Sequence, residues 1–165
     1  MDLILAALMP DNRMVCQVAL HTGLRVSDIL ALRKEQLARC FWITEQKTGK
    51  RRQVGLPDWL IEIIKNRAGE SEWAFPGKDP KKPRTRQAVW KDLKRVQRAF
   101  RLPVNVGTHS MRKDYAVDLM EKYGDIEKVK RALNHSDASV TIIYAMADKL
   151  TETAQQRRSV KARKR

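Results

Sequence analysis

Five side chains suited to phosphoryl chemistry follow one another along this chain: Arg25, His109, Arg112, His135 and Tyr144. Arg25 closes the run Thr22-Gly23-Leu24-Arg25. His109 and Arg112 frame His109-Ser110-Met111-Arg112. His135 sits in Leu133-Asn134-His135-Ser136-Asp137, nine positions before Tyr144. An arginine offers a planar fork of donors that meets phosphate oxygens in pairs. A tyrosine hydroxyl can carry a covalent intermediate and split one hard transfer into two easier ones. Two arginines, two histidines and a late tyrosine in this order describe a phosphate pocket beside a hydroxyl nucleophile.

Each member has a plainer reading when taken alone. On a helix Arg25 shares a face with Ile29 and Leu32, so it needs an anion, and Asp28 stands three residues on. His109 and Arg112 are neighbours on a helix surface, and Tyr115, Ala116 and Leu119 continue an apolar face beside them. A capping histidine and a salt-bridged arginine would satisfy that pattern. His135 precedes Ser136-Asp137, a cap for the next helix, and Tyr144 follows Val140 by one turn like a core tyrosine. Lys47 sits at a hairpin tip with Lys50, Arg51 and Arg52 close by, where most lysines are simply solvated. It is their joint occurrence, in this order, that chance does not readily give.

The elements that must position these residues are mostly helical. Leu3–Met9 reads as a helix, and Pro10-Asp11-Asn12 breaks it and caps the next, in which Met14, Val15, Val18 and Ala19 have helical spacing. Gly23 ends that helix, and another runs from Val26 to Arg33. Cys40–Glu45 and Arg51–Leu56 flank Lys47-Thr48-Gly49-Lys50 and predict a β-hairpin, with Trp73-Ala74-Phe75 as a third short strand. Pro57-Asp58 opens a helix to about Asn66. A basic loop over Lys78–Arg86 leads to a helix over Ala88–Phe100 with Val89, Leu93 and Val96 on one face. Thr108–Tyr123, Ile126–Leu133 and Ser139–Ala145 predict three further helices. From Thr151 the chain is helical or disordered and ends in a basic run. The expected class is mainly α with a small antiparallel sheet of about three strands (α+β).

Composition narrows the partners. Lys and Arg total 34 against 19 acids, a net charge of +15, and the pI is near 10.2. That excess attracts polyanions, nucleic acid first. Apolar residues make up 42% of the 165, enough for one domain with a core. Cys16 and Cys40 are too few for a disulfide framework and predict reduced thiols in a cytoplasmic protein. No apolar run approaches a membrane span, and Met1–Met9 has the wrong character for a signal peptide.

From about Met14 to Leu150 these motifs resemble the tyrosine recombinase (phage integrase) family. Thr22 to Leu32 is similar to the family's first-arginine box, with Asp28 as the acidic residue behind the pocket. Lys47-Thr48-Gly49 resembles its hairpin lysine motif and His109-Ser110-Met111-Arg112 its second box. Leu133-Asn134-His135 is similar to Leu-Gly-His with Asn134 in the glycine's place, and Ile143-Tyr144 matches the nucleophile.

The resemblance implies a DNA strand-breaking and rejoining enzyme. Tyr144 would attack a phosphodiester in duplex DNA and form a 3′-phosphotyrosyl bond. Arg25, Arg112 and His135 would stabilise the transition state, Lys47 would protonate the leaving 5′-oxygen and His109 would take the tyrosine proton. No cofactor or metal is implied, because the arginines and lysine supply the charge a magnesium ion would bring. Lys50, Arg51, Lys81, Lys82, Arg84, Arg86, Lys91, Lys94 and Arg95 would hold DNA, together with Lys78 and Arg98. The partner would be double-stranded DNA, with a homotetramer on DNA and a monomer in solution. The setting would be the bacterial or phage cytoplasm, at the nucleoid. Residues 1–150 would be the catalytic domain and 151–165 a basic tail, without the family's N-terminal core-binding domain. A type IB topoisomerase-like nicking-closing enzyme and a non-catalytic DNA-binding relative are the alternatives.

Overall fold

A computed structural model describes residues 2–103 and 105–133. Its elements are α1 (Asp2–Ala7), α2 (Pro10–Thr22), α3 (Val26–Leu30), a 3-10 turn (Lys34–Gln36), β1 (Cys40–Thr44), β2 (Arg51–Gly55), α4 (Asp58–Ala68), α5 (Arg86–Ala99), α6 (Ser110–Tyr123) and α7 (Ile126–Leu133). The chain divides into two compact units, one ending at Tyr115 and one beginning at Ala116. No helix of the described residues is long and apolar enough to cross a membrane.

In the first unit α2 is the central element. Its Met14, Val15, Val18 and Ala19 are buried and belong to one core with Leu60 and Ile64 of α4 and Val89, Leu93 and Val96 of α5. The hairpin lays Phe41, Ile43 and Val54 onto the same core. Cys16 joins it, and burial pushes its thiol up to about 12, so it behaves as a small apolar side chain. Both Cys16 and Cys40 are free thiols. Gly23 ends α2 at φ 62°, its N–H donating to the Ala19 carbonyl at 2.8 Å; this left-handed step, natural to glycine, directs the chain into Arg25.

β1 and β2 pair antiparallel, with Ile43 opposite Arg52 and Phe41 opposite Val54. The sheet among the described residues has these two strands, not three. The Trp73-Ala74-Phe75 stretch makes only single bridges, Arg33 with Trp73 and Pro76 with Pro83. Pro76 and Pro83 lack the N–H a longer ladder requires. The same pairing shortens α3. The Leu32 carbonyl accepts from Ala74 and the Lys34 N–H donates to Glu72, so the chain is already extended at Arg33, where helix was expected.

The start of α2 is held from a distance. Pro10 takes its first turn, Met9 is the N-cap, and no local side chain caps it. Asp92 of α5 does so instead: its Oδ2 accepts from the Met9 N–H and from Asn12 Nδ2, each at 2.8 Å. Its Oδ1 accepts from Arg95 Nε, also at 2.8 Å. These bonds hold the Asp92 carboxyl below the usual range even though burial, the largest single influence, pushes it up. We predict that Asp92→Ala costs about 2–4 kcal/mol, since it strands buried donors and removes an anion from a helix N-terminus. Urea unfolding monitored by circular dichroism would check this. A loss below about 0.5 kcal/mol, the size of a neutral surface change, would refute it.

In the second unit the described residues are the end of α6, a Gly124 step at φ 61° and α7. Asp125 caps α7, its Oδ1 accepting from the N–H groups of Glu127 and Lys128. Val129 and Leu133 are buried. The predicted bounds of α7 agree with those observed. His135, Tyr144, the Ser139–Ala145 helix and the tail from Thr151 lie outside the described residues.

Candidate functional site: a guanidinium cluster and a basic groove

The turn after α2, the end of β1 and the first turns of α6 bring three arginines around two carboxylates. Arg25 is the N-cap of α3, extended at φ −71°, ψ 146°. Its Nη1 donates to Glu45 Oε2 at 2.5 Å. Arg52, on the inward face of β2, sets its Nε 3.2 Å from Glu45 Oε1 and donates through Nη2 to the Thr22 carbonyl at 3.0 Å. Arg112, in α6, donates through Nη1 to the Gly23 carbonyl. The second carboxylate, Asp28, accepts the Gln46 N–H at 3.0 Å.

Sequence spacing offered Asp28 as the ion partner of Arg25. The structure corrects this: Arg25 pairs with Glu45, and Asp28 ties down the backbone where β1 enters the loop. Glu45 and Arg52 were not anticipated as site residues, though the strand carries a signal for them. Burial alternates along the hairpin, and Phe41, Ile43 and Glu45 share the inward phase with Arg52 and Val54. A carboxylate and a guanidinium in the core phase of a strand must find charged partners.

Arg112 lies in the field of the other two guanidiniums and of both carboxylates. Burial first, then the charges of Arg25 and Arg52, push its guanidinium down to about 10 against the pull of Glu45 and Asp28. Arg112 is still charged at neutral pH. Guanidiniums gathered in this way are suited to holding a phosphodiester anion.

His109 precedes Arg112 by one turn and lines an open groove of about 770 Å³. Loss of solvent first, then the charges of Arg86, Arg112, Arg25 and Lys113, hold its imidazole below the ordinary range. It is therefore neutral at pH 7 and able to accept a proton. Along the groove runs one stripe of α5: Arg86, Gln87, Trp90 and Lys94, with Trp90 46% exposed. Lys94 Nζ stands 6.0 Å over the Trp90 ring and donates to Gln97 and Asn105. The sequence placed Arg86 and Lys94 on DNA but passed over Trp90.

The remaining predicted contacts divide in two. Lys50, Lys81, Lys82 and Lys91 are exposed, and exposed Arg51 lies over the Trp42 ring at 5.3 Å. Arg84 is turned inward, donating to Asp11 Oδ2 at 2.5 Å and Asn12 Oδ1 at 3.3 Å, and Arg95 binds Asp92 and the Ala7 carbonyl. Lys47 is exposed in the loop between the strands.

A two-stranded hairpin against a helical core, with a guanidinium cluster and a cation-lined groove beside it, is the architecture of a tyrosine recombinase catalytic domain. The chain belongs to the phage integrase family, whose model it matches over residues 2–150. It is 31% identical over 141 residues to the probable integrase/recombinase YoeC of Bacillus subtilis, an alignment covering 82% of this chain and 77% of that one. It is 30% identical over 152 residues to tyrosine recombinase XerD of Lacticaseibacillus casei, covering 81% of this chain and 49% of that one. In fold it is similar to the XerH site-specific recombinase solved with palindromic difH in a post-cleavage complex. That match has a TM-score of 0.70 at 21% identity, over 93% of this chain and 49% of the other. The chain thus spans about half the length of these Xer recombinases.

Proposed function

We propose that this chain carries the catalytic site of a site-specific tyrosine recombinase, which cleaves and rejoins duplex DNA for integration or excision. The carrying observation is the cluster that gathers the guanidiniums of Arg25, Arg52 and Arg112 beside Glu45 and Asp28. Family membership supports the same reading.

In the proposed reaction the Tyr144 hydroxyl attacks the phosphorus, forming an O–P bond while the bond to the 5′-oxygen breaks. Arg25, Arg112 and His135 neutralise the charge spreading over the phosphoryl oxygens, the dominant requirement of such transfers. Neutral His109 accepts the tyrosine proton, and the Lys47 ammonium gives one to the departing 5′-oxygen. The phosphotyrosyl bond preserves the energy of the phosphodiester, so a 5′-hydroxyl from a partner strand reverses the step without ATP. Duplex DNA lies along the α5 stripe and the exposed lysines, phosphates setting the register and the groove residues reaching base edges. The protein is cytoplasmic, a monomer in solution, and assembles as a tetramer on DNA.

The test is covalent trapping. The protein is incubated with a pool of nicked duplexes whose cleaved strand loses a short fragment by diffusion, and adducts are isolated under denaturing conditions. The expected product is a protein–DNA adduct whose linked peptide contains Tyr144. A linkage to another residue would overturn the assignment. Relaxation of supercoils without exchange between two site-bearing DNAs would replace recombination by the nicking-closing alternative.

A further inference from the structure

Glu45 is the most deeply buried carboxylate of the described residues, at 0% exposure, and has no part in the chemistry set out above. Its position is informative. It stands where β1 becomes the loop that carries Lys47, and four of its contacts converge there. Oε2 accepts from Arg25 at 2.5 Å and from the Thr48 hydroxyl at 3.0 Å. Its N–H donates to the Lys50 carbonyl at 3.0 Å, and its own carbonyl accepts from Gly49 at 2.8 Å. Lys47 therefore lies between two residues, Glu45 and Thr48, that meet at the carboxylate oxygen holding Arg25. The neighbouring Gln46 N–H is fixed by Asp28.

The rest of the loop faces solvent. Residues 46–50 are exposed, and a Cβ at Gly49 would have nothing within 4 Å. The hydrogen bonds of this loop run to its own backbone, to Glu45 and to Asp28. A buried charge held on both oxygens by guanidiniums is a rigid anchor, because moving it would strand the charge.

We propose that Glu45 is a positioning residue that, through Thr48, registers Lys47 against Arg25, so that the leaving-group acid and the phosphate clamp move as one unit. This rests on the recombinase reading. It gives Glu45 a duty distinct from packing: a loop lysine with full rotational freedom would reach the 5′-oxygen only in a fraction of its conformations.

The test separates the two duties by changing one atom of the substrate. Lys47 is needed because an alkoxide leaves poorly. With sulfur in place of the bridging 5′-oxygen the leaving group is a thiolate, whose conjugate acid has a pKa of about 8.5, and no proton is required. Adduct formation is measured on nicked duplexes carrying either atom, with Lys47→Ala as reference. Thr48→Val, in the exposed loop, removes the tie and keeps the shape. It is expected to slow attachment on the oxygen substrate by roughly 10- to 100-fold, within the range of a general acid. On the sulfur substrate it is expected to match the wild type. Glu45→Gln also weakens the hold on Arg25, so part of its defect persists with sulfur.

A Thr48→Val protein as fast as the wild type on oxygen overturns the inference, as does one slowed equally on both substrates. If Glu45→Gln does not fold, Thr48→Val decides alone. If the wild type forms no adduct even with sulfur, the recombinase reading falls and this inference with it. Rescue of Lys47→Ala by sulfur without any Thr48 effect removes only the inference.

Discussion

Replacing Arg112 by Gln is expected to slow covalent attachment to DNA by about 10²–10³-fold, the loss seen when one preorganised donor to a developing oxyanion is removed. The same variant is expected to melt no lower than the wild type. The second half follows from the electrostatics of Arg112. Burial of the Arg112 guanidinium and the neighbouring charges of Arg25 and Arg52 outweigh the pull of Glu45 and Asp28. Its folded-state pKa of about 10 lies below the ordinary arginine value, so charged Arg112 opposes folding at every pH below about 10. That penalty is relieved only as pH rises beyond it. Glutamine removes this buried charge and retains a donor for the Gly23 carbonyl, which Arg112 Nη1 now serves. Arg112→Lys would keep the charge and lose the fork, giving the activity loss without the relief. Single-turnover adduct kinetics and thermal melts on the three proteins would check both halves. A fall of more than about 3 °C for Arg112→Gln, on the order of 1 kcal/mol in a domain this size, would make Arg112 a structural tie instead of a strained phosphate ligand.

The division between what could be read from the chain and what could not follows the range of the interactions involved. Gly23 announced its left-handed step, and the helix read over Ile126–Leu133 has the bounds of α7. These depend on a few neighbouring residues. The order of Arg25, Lys47, His109 and Arg112 was equally plain, since motif spacing is local. The errors arise where distant segments compete. Val26–Arg33 has a helical pattern, but Leu32 and Arg33 give up the helix to bridge with Ala74 and Trp73, forty residues away. Trp73-Ala74-Phe75 has strand composition and yet builds no ladder, because prolines flank its pairing. Arg25 was matched to Asp28 because helical spacing offers the nearest acid. The folded chain brings Glu45 across from the hairpin, 20 positions away, and buries it completely. The alternation Phe41, Ile43, Glu45 held that information, and reading it required knowing what lay beneath the sheet. Asp92 capping α2 across 83 positions left no local trace at all.

His109→Gln is expected to slow attachment by about 10²–10⁴-fold, the span of general acid–base contributions, and to erase the acid limb of the pH–rate profile. The sign comes from which form of the imidazole works. A group that takes the Tyr144 proton must be neutral, so the rate rises with pH as His109 loses its own proton and then levels off. Loss of solvent in the groove, followed by the charges of Arg86, Arg112, Arg25 and Lys113, holds that transition below the ordinary histidine value of about 6.5. The wild-type rate is therefore expected to be flat across neutral pH and to fall only in mildly acidic buffer. Bound DNA should shift the midpoint upward, because backbone phosphates offset the same cationic side chains. The profile of the enzyme–DNA complex would then titrate nearer the ordinary value than that of the free enzyme. Arg86→Gln, at the start of the α5 stripe, removes the first-ranked of those charges and should raise the free-enzyme midpoint without touching the cluster around Glu45. Single-turnover rates at saturating and subsaturating DNA would separate the two midpoints. A wild-type profile with no acid limb, or one that His109→Gln leaves unchanged, would take the proton away from His109 and reduce it to a groove-lining contact.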